Sequence, residues 1–282
     1  MSDTVTQALR RAAQALADTS DTARLDAELL MAHALGVTRS DMLLRHGRDP
    51  VPAGFDALIE RRAVHEPVAY ITGVQEFFGL DFAVSPAVLI PRGDSEVLVE
   101  AALAALPDAR RVLDLGAGSG ALLLAVLHHL PHATGIGIER SPAALAVAQG
   151  NAARLGLAAR ATIQPGDWTQ DGWADTLGRF DLVLANPPYV EEDAPLAPSV
   201  RDHEPAAALF AGVQGLDDYR ILIPCLPDLL APGGVALVEI GHTQRHDVSV
   251  LAQAHGMGVV VHRDLGDRDR VLQISPEIRG DP

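Results

Sequence analysis

From about residue 96 onward the chain repeats one unit, a short apolar strand, a turn and a helix, and this rhythm leaves few folds open. "RRVLDLG" is a short buried strand and "SGALLLAVLHHL" a helix buried on most sides. "ATGIGIE" is a second strand, followed by the helix "SPAALAVAQGNAARLG". Then come "RATIQ", "FDLVLA", the helix "GLDDYRILIPCLPDLL", the strand "GGVALVEIG", a further helix, and the strands "GVVVHRD" and "DRVLQIS". Strands that alternate with helices form a parallel sheet covered on both faces, so the fold class is α/β. Ligands of such sheets bind beyond the carboxyl ends of the strands, near the switch in strand order. "DLGAGSG" and "NPPY" both follow strands and are expected at that edge.

The preceding third has a different texture. Residues 3 to about 66 are helical: "TARLDAELLMAHALG" places Leu25, Leu29 and Ala32 at helical spacing and stops at Gly36, a natural C-cap. "FDALIERRAVHEP" is stopped in the same way by Pro67. "PVAYITGVQEFFGLDFAVSPAVLIPR" then alternates apolar and aromatic residues with glycines and prolines, as a β-hairpin linker would. We therefore expect a helical bundle over 1–72, a hairpin linker over 73–95 and a ligand-binding α/β domain over 96–282.

Charge and residue usage narrow the chemistry. All 22 basic residues are arginine, which excludes Schiff-base enzymes, pyridoxal phosphate enzymes and a P-loop lysine. The net charge of −15 is uneven: residues 1–75 hold 8 arginines against 10 acids, the remainder 14 against 27. A duplex binder usually carries a basic footprint that displaces counterions, so direct nucleic-acid binding is not expected. The single cysteine, Cys225, rules out an internal disulfide. No apolar run approaches the roughly 18 residues of a membrane span. "MSDTVTQALRR" lacks a secretory layout, and a cytoplasmic monomer is expected. His128, His129 and His132 lack carboxylate or cysteine partners at ligand spacing, so no metal is expected.

Three strand ends carry ligand-binding residue types. Gly116, Ala117, Gly118, Ser119 and Gly120 leave one strand and open a helix, where backbone can approach a ligand closely. The loop also fits the G-x-G-x-x-A dinucleotide fingerprint, or a purely structural turn. Asp114, two residues ahead, suits a ligand's ammonium group better than a pyrophosphate, although it could simply cap the helix. Glu139 closes the second strand, where an acid can accept both ribose hydroxyls. Asp167 and Trp168 follow the third; the acid is placed for an adenine amino group and the indole for the ring, unless they are a solvated turn acid and a core tryptophan. Together these look like the S-adenosylmethionine site of a Rossmann-like methyltransferase.

The fourth strand, "FDLVLA", ends in Asn186-Pro187-Pro188-Tyr189. Two prolines cannot continue a sheet, so the segment either merely stops the strand or holds something. An amide or exocyclic amine nitrogen is a poor nucleophile because its lone pair is delocalised, and no ordinary side chain deprotonates it. Holding its two N–H groups on acceptors turns the lone pair toward the methyl. The side-chain oxygen of Asn186 and the carbonyl of Pro187 can be those acceptors, preorganised by proline geometry, with Tyr189 stacked on the flat group.

With "EPVAYITGVQEFFGLDFAVSPAVLIPR", "DLGAGSG", "NPPYV", "HEPAAALFAG", "LAPGGVALVEIG" and "DLGDRDRVL" included, the chain resembles, nearly end to end, the bacterial peptide chain release factor N5-glutamine methyltransferase family. That resemblance implies a class I methyltransferase fold with a mostly parallel seven-stranded sheet. It also implies S-adenosylmethionine as cofactor, held by the glycine loop, Glu139, Trp168 and Asn186. The implied substrate is a Gly-Gly-Gln loop of peptide chain release factors, its glutamine on Asn186 to Tyr189 and its body gripped by the helical domain. After "LIPR" the family commonly has Pro-Glu-Thr-Glu where Gly93-Asp94-Ser95-Glu96 stands here, and Gly93 loosens backbone that proline would stiffen. Rival readings are a glutamine methyltransferase of a ribosomal protein, an amino-methylating enzyme of nucleic acid, and a non-catalytic dinucleotide reader, which leaves "NPPY" unexplained.

Overall fold

The strand–helix alternation gives a sheet whose two faces are both apolar. In the computed structural model, which describes residues 3–277, β6 (Phe180–Ala185) illustrates the pattern. Leu182 and Leu184 point into one core and Val183 and Ala185 into the other, the two-residue period of a strand.

In chain order the described elements are α1 (Val5–Ala15), α2 (Ala23–Leu35), α3 (Arg39–Arg45), α4 (Phe55–Ala63), α5 (Val68–Thr72), β1 (Val74–Phe77) and β2 (Leu80–Ala83). There follow α6 (Glu96–Ala105), β3 (Arg111–Leu115), α7 (Ala121–His129), β4 (Thr134–Glu139), α8 (Pro142–Arg154), β5 (Ala161–Pro165) and β6. The chain continues through α9 (Pro198–Arg201), α10 (Asp217–Leu229), β7 (Leu230–Glu239), α11 (Arg245–Ala254), β8 (Met257–Arg263) and β9 (Asp269–Pro276). The main sheet has seven strands in the order β5-β4-β3-β6-β7-β9-β8. Its first five are parallel, and β9 runs antiparallel to both neighbours. β4 lies on one side of β3 and β6 on the other, so the order switches at β3 and the loops after β3, β4 and β6 converge.

Helix α7 is apolar all round because it is covered all round: Ala121 to Leu127 are buried between the sheet, α6 and the hairpin β1–β2. Phe77 and Phe82 of that hairpin meet edge to face, their ring centroids 6.2 Å apart. The carboxylate of Asp181, at the start of β6, accepts from the backbone N–H groups of Arg110 and Arg111 at 2.8 and 2.9 Å. The two central strands are thereby registered so that their far ends emerge side by side.

The chain divides into two compact units: residues 1–74 with 196–204, and residues 75–195 with 205–282. The hairpin thus groups with the sheet, and a short stretch of the second half, carrying α9, groups with the N-terminal helices. In the helical unit the core is Val5, Leu9, Leu30, Met31, Met42 and Phe55. Leu25 and Leu29, two residues of the apolar spacing in α2, are 40% and 36% exposed. The face they share yields to Ala27, Leu30 and Met31, and Asp26 is drawn inside by Arg62 at 2.7 Å and by the hydroxyls of Ser20 and Thr22. Among the described residues no helix is long and apolar enough to cross a membrane.

Candidate functional site

One cavity opens where the loops after β3, β4 and β6 converge. Gly116, Ala117, Gly118, Ser119, Glu139, Asp167, Trp168, Asn186 and Pro188 line it, so most of the residues singled out in the sequence meet in one place. Asp114, Gly120, Pro187 and Tyr189 do not line it.

The glycine turn is set by backbone bonds to the next strand. The N–H groups of Gly116 and Ala117 both donate to the carbonyl of Ile138, at 3.1 and 2.9 Å. Glu139 holds the rim: Oε2 accepts from the Gly118 N–H at 2.8 Å and Oε1 from the Ser141 N–H at 2.7 Å. Each carboxylate oxygen retains acceptor capacity toward the cavity, in a fixed orientation. Trp168 is held by its indole N–H, which donates to Asp218 at 2.6 Å; burial raises the proton affinity of that carboxyl, and the bond partly offsets the rise. The indole lies so close to Gly116 that a Cβ there would sit 2.9 Å from the ring, and Gly116 has φ of 81°, so only glycine fits. Asp167 is braced by the hydroxyl and N–H of Thr169, which hold its carboxyl below the usual range.

Asp114 occupies a different place from the one expected. It is buried behind the loop, where Oδ2 accepts from the N–H of Leu123 at 3.3 Å in the first turn of α7 and Oδ1 has no hydrogen-bond partner among the described residues. Burial, aided by the charge of Glu139, pushes its carboxyl up to about 7. It supports the loop from beneath instead of facing the cavity.

At the end of β6 the four residues divide. Asn186 faces the cavity, and its Nδ2 donates to the hydroxyl of Ser95 at 3.4 Å. Pro187 is buried and Pro188 lines the rim. Tyr189 turns inward to pack on the core of the second face, and its hydroxyl donates to Glu239 Oε1 at 3.3 Å. Its expected stacking role therefore has no counterpart in the cavity lining. The Tyr189 carbonyl accepts from Gln244 Nε2 at 3.0 Å, which anchors the exit of the turn.

A model of the PrmC N-terminal domain matches residues 7–73, and one of the methyltransferase small domain matches residues 93–200. The release factor glutamine methyltransferase of Geobacter sulfurreducens is 46% identical over 235 residues, covering 81% of this chain and 80% of that protein. That of Moorella thermoacetica is 44% identical over 95% of this chain and 96% of its own. The chain belongs to the release factor glutamine methyltransferase family. It is accordingly an enzyme and a methyltransferase. The hMettl16 catalytic domain in complex with MAT2A 3'UTR hairpin 6 shares the fold, with a TM-score of 0.57 at 15% identity, over 79% of this chain and 84% of that one.

Within this methyltransferase fold, three site residues had not been singled out. Asn151, fully buried on α8, accepts from the Ala83 N–H at 2.8 Å and donates to the carbonyls of Ala83 and Ser119, tying the hairpin to the glycine loop. Ser95, buried, lines the cavity beside Asn186, and Glu239, also buried, stands behind Tyr189. The Gly93-to-Glu96 stretch is fixed by its side chains: Asp94 pairs with Arg270 at 3.1 Å, and Glu96 accepts from the Phe78 N–H at 2.9 Å. A lone acid closing the apolar run "GGVALVE" was the available signal for Glu239.

Proposed function

We propose that the protein transfers the methyl group of S-adenosylmethionine to the side-chain amide nitrogen of the glutamine in the Gly-Gly-Gln loop of peptide chain release factors. The observation that carries this reading is the placement of Asn186, at the end of β6, on the same cavity as the glycine turn and Glu139.

The cavity's donors and acceptors suit that cofactor. Glu139, immobilised by two backbone N–H groups, suits a pair of ribose hydroxyls. Trp168, braced by Asp218, offers a flat apolar face, and Asp167 an acceptor beside it. S-adenosylmethionine supplies a methyl group on a positively charged sulfur. The chain's residues do the rest. Asn186 presents its side-chain oxygen from the cavity lining, and the backbone carbonyl of Pro187, whose ring is buried beside it, is the second acceptor for the N–H groups of the target amide. As these hold the hydrogens, the nitrogen lone pair leaves conjugation with the carbonyl and faces the methyl. The same oxygens stabilise the positive charge that moves onto nitrogen, and they need no reorganisation because the turn is already held. After transfer the nitrogen, now positively charged and far more acidic, gives its proton to solvent water.

Because this interaction strengthens in the transition state, its loss appears in turnover. With S-adenosylmethionine saturating, Asn186→Ala is expected to lower kcat by roughly 10²–10³ and largely to spare KM for the release factor. Asn186→Asp, which retains an acceptor, should keep more activity. Near-normal turnover of the alanine variant would reduce the segment to a strand stopper.

A further inference from the structure

The stretch "GDSE", residues 93–96, begins with the residue least able to hold a turn by itself. Gly93, Asp94 and Ser95 form a single turn, closed by the Ser95 N–H, which donates to the Arg92 carbonyl at 3.0 Å. One isolated turn is marginal, because few bonds repay the dihedrals it fixes. Yet Pro91 and Arg92, which lead into it, and Ser95, which ends it, all line the cavity. Ser95 Oγ accepts there from Asn186 Nδ2 at 3.4 Å. A wall that meets Asn186 needs a firmer hold than its own backbone gives.

Two side chains supply that hold, one on each side of Ser95. Glu96 accepts from the Phe78 N–H at 2.9 Å and pins the stretch to the β1–β2 hairpin. Asp94 pins it to β9, where Arg270 Nη2 donates to Asp94 Oδ2 at 3.1 Å and to Asp264 Oδ2 at 3.2 Å. One NH₂ group has two hydrogens, so it serves both carboxylates at once. Asp264 is itself fixed, since its Oδ1 accepts from the N–H groups of Gly266 and Arg268 at 2.8 and 3.0 Å within the β8–β9 turn. In "DLGDRDR", residues 264–270, the first acid thus organises the turn and aims the last arginine. Arg270 and Asp264 are both buried and neutralise one another, whereas the Asp94 side chain is 57% exposed. Asp94 can therefore be removed without leaving a buried charge alone.

We infer that Asp94, held by Arg270 and Asp264, is a positioning residue for methyl transfer: it fixes the Gly93–Ser95 turn so that Ser95 stays beside Asn186 in the cavity. Neither Gly93 nor Asp94 lines that cavity, so Asp94 acts only through the turn it holds. Gly93 offers a way to replace the ion pair by backbone stiffness. Arg92 is extended, with φ of −102° and ψ of 141°, as the residue before a proline must be. Gly93 opens the turn, the place where a proline ring is favoured, and a Cβ added there meets nothing within 4 Å. Gly93→Pro therefore stiffens the turn without using any side-chain contact.

This inference rests on the reading of Asn186 given above, and the test keeps the two separable. Methylation of purified release factor is measured under S-adenosylmethionine saturation for the wild type, Asp94→Ala, Gly93→Pro, Ser95→Ala, Asn186→Ala and the double variants Gly93→Pro/Asp94→Ala and Asp94→Ala/Ser95→Ala. Thermal melts give Tm for each. Asp94→Ala is expected to lower kcat about threefold to fivefold, the scale of one partly exposed ion pair, with KM for the release factor and Tm close to wild type. Gly93→Pro alone should turn over like the wild type, and in the Asp94→Ala background it should restore most of the lost kcat. Ser95→Ala should lose at least as much kcat as Asp94→Ala, and adding the Asp94 change to it should cost almost nothing further, because the residue being positioned is gone. Should Asp94→Ala not fold, Asp94→Asn replaces it, keeping the shape without the charge, and the same loss is expected. Full turnover of the Asp94 variant, an equal loss with and without the Ser95 hydroxyl, or a loss confined to KM or Tm overturns the positioning role. So does a fully active Gly93→Pro that fails to restore Asp94→Ala; if Gly93→Pro is itself slow, the comparison with and without Ser95 decides. An unaffected Asn186→Ala overturns the reading beneath it instead.

Discussion

A carboxylate 1% exposed to water, with one oxygen unpartnered among the described residues, is costly to ionise, and Asp114 is in that position. Its proton affinity rises from the ordinary 3.8 to about 7. A carboxyl that binds its proton more tightly when folded subtracts stability as pH rises from its unfolded value through its folded one. The subtraction is absent below about pH 4 and complete above about pH 7. Replacing Asp114 with asparagine removes this dependence. The unfolding free energy of Asp114→Asn relative to wild type, from urea melts without ligand, should therefore grow by roughly 2–4 kcal/mol between pH 5 and pH 8. A difference that stays constant over that interval would mean that Asp114 is ionised at little cost. Glu139, 25 residues along the chain, has two backbone N–H partners and a place on the cavity rim.

At the scale of elements, the β3–α7 turn depends on what crosses over it. The indole of Trp168, carried by the loop after β5, packs on Gly116 and is locked by Asp218 of α10. Gly116→Ala adds a methyl 2.9 Å from that ring and forces an L-residue to φ of 81°, a backbone penalty of about 1–2 kcal/mol. The ring must move. With Trp173, the only other tryptophan, changed to phenylalanine, Gly116→Ala should shift the emission of Trp168 and weaken S-adenosylmethionine binding. Unchanged emission and affinity would remove Trp168 from the account. The elements themselves were legible: "FDLVLA" is β6 to the residue, and the hairpin, the glycine turn and the alternation all fall where apolar runs meet glycine and proline. Local pattern carries that information. The inward faces of α2 were not legible, because burying Asp26 depends on Arg62, 36 residues away, which no spacing within the helix reveals. Tyr189 turned inward for the same reason: its partner Glu239 is 50 residues further on, and a tyrosine next to two prolines is compatible with either orientation. Ser95 and Asn186, 91 residues apart, repeat the pattern. Residue types at strand ends announce a cavity, whereas the polar partners that set side-chain directions become visible only when the strands are laid side by side.

At the scale of the whole molecule, charge and organisation bear on which substrate is taken. Residues 76–282 carry 14 arginines against 27 acids, a field that repels nucleic-acid phosphates. The chemistry proposed for the β6 turn would serve a base or a carboxamide equally well, so the choice between them belongs to this scale. The charge and the family point to a protein amide. The most direct measurement is transfer of labelled methyl from S-adenosylmethionine to intact release factor, to the same release factor with its Gly-Gly-Gln glutamine replaced by glutamate, and to duplex DNA, with the products mapped by mass spectrometry. The account predicts a single methyl on the side-chain nitrogen of that glutamine, and none on the replaced protein or on DNA. Label on DNA, or undiminished label on release factor that lacks the glutamine, would contradict it.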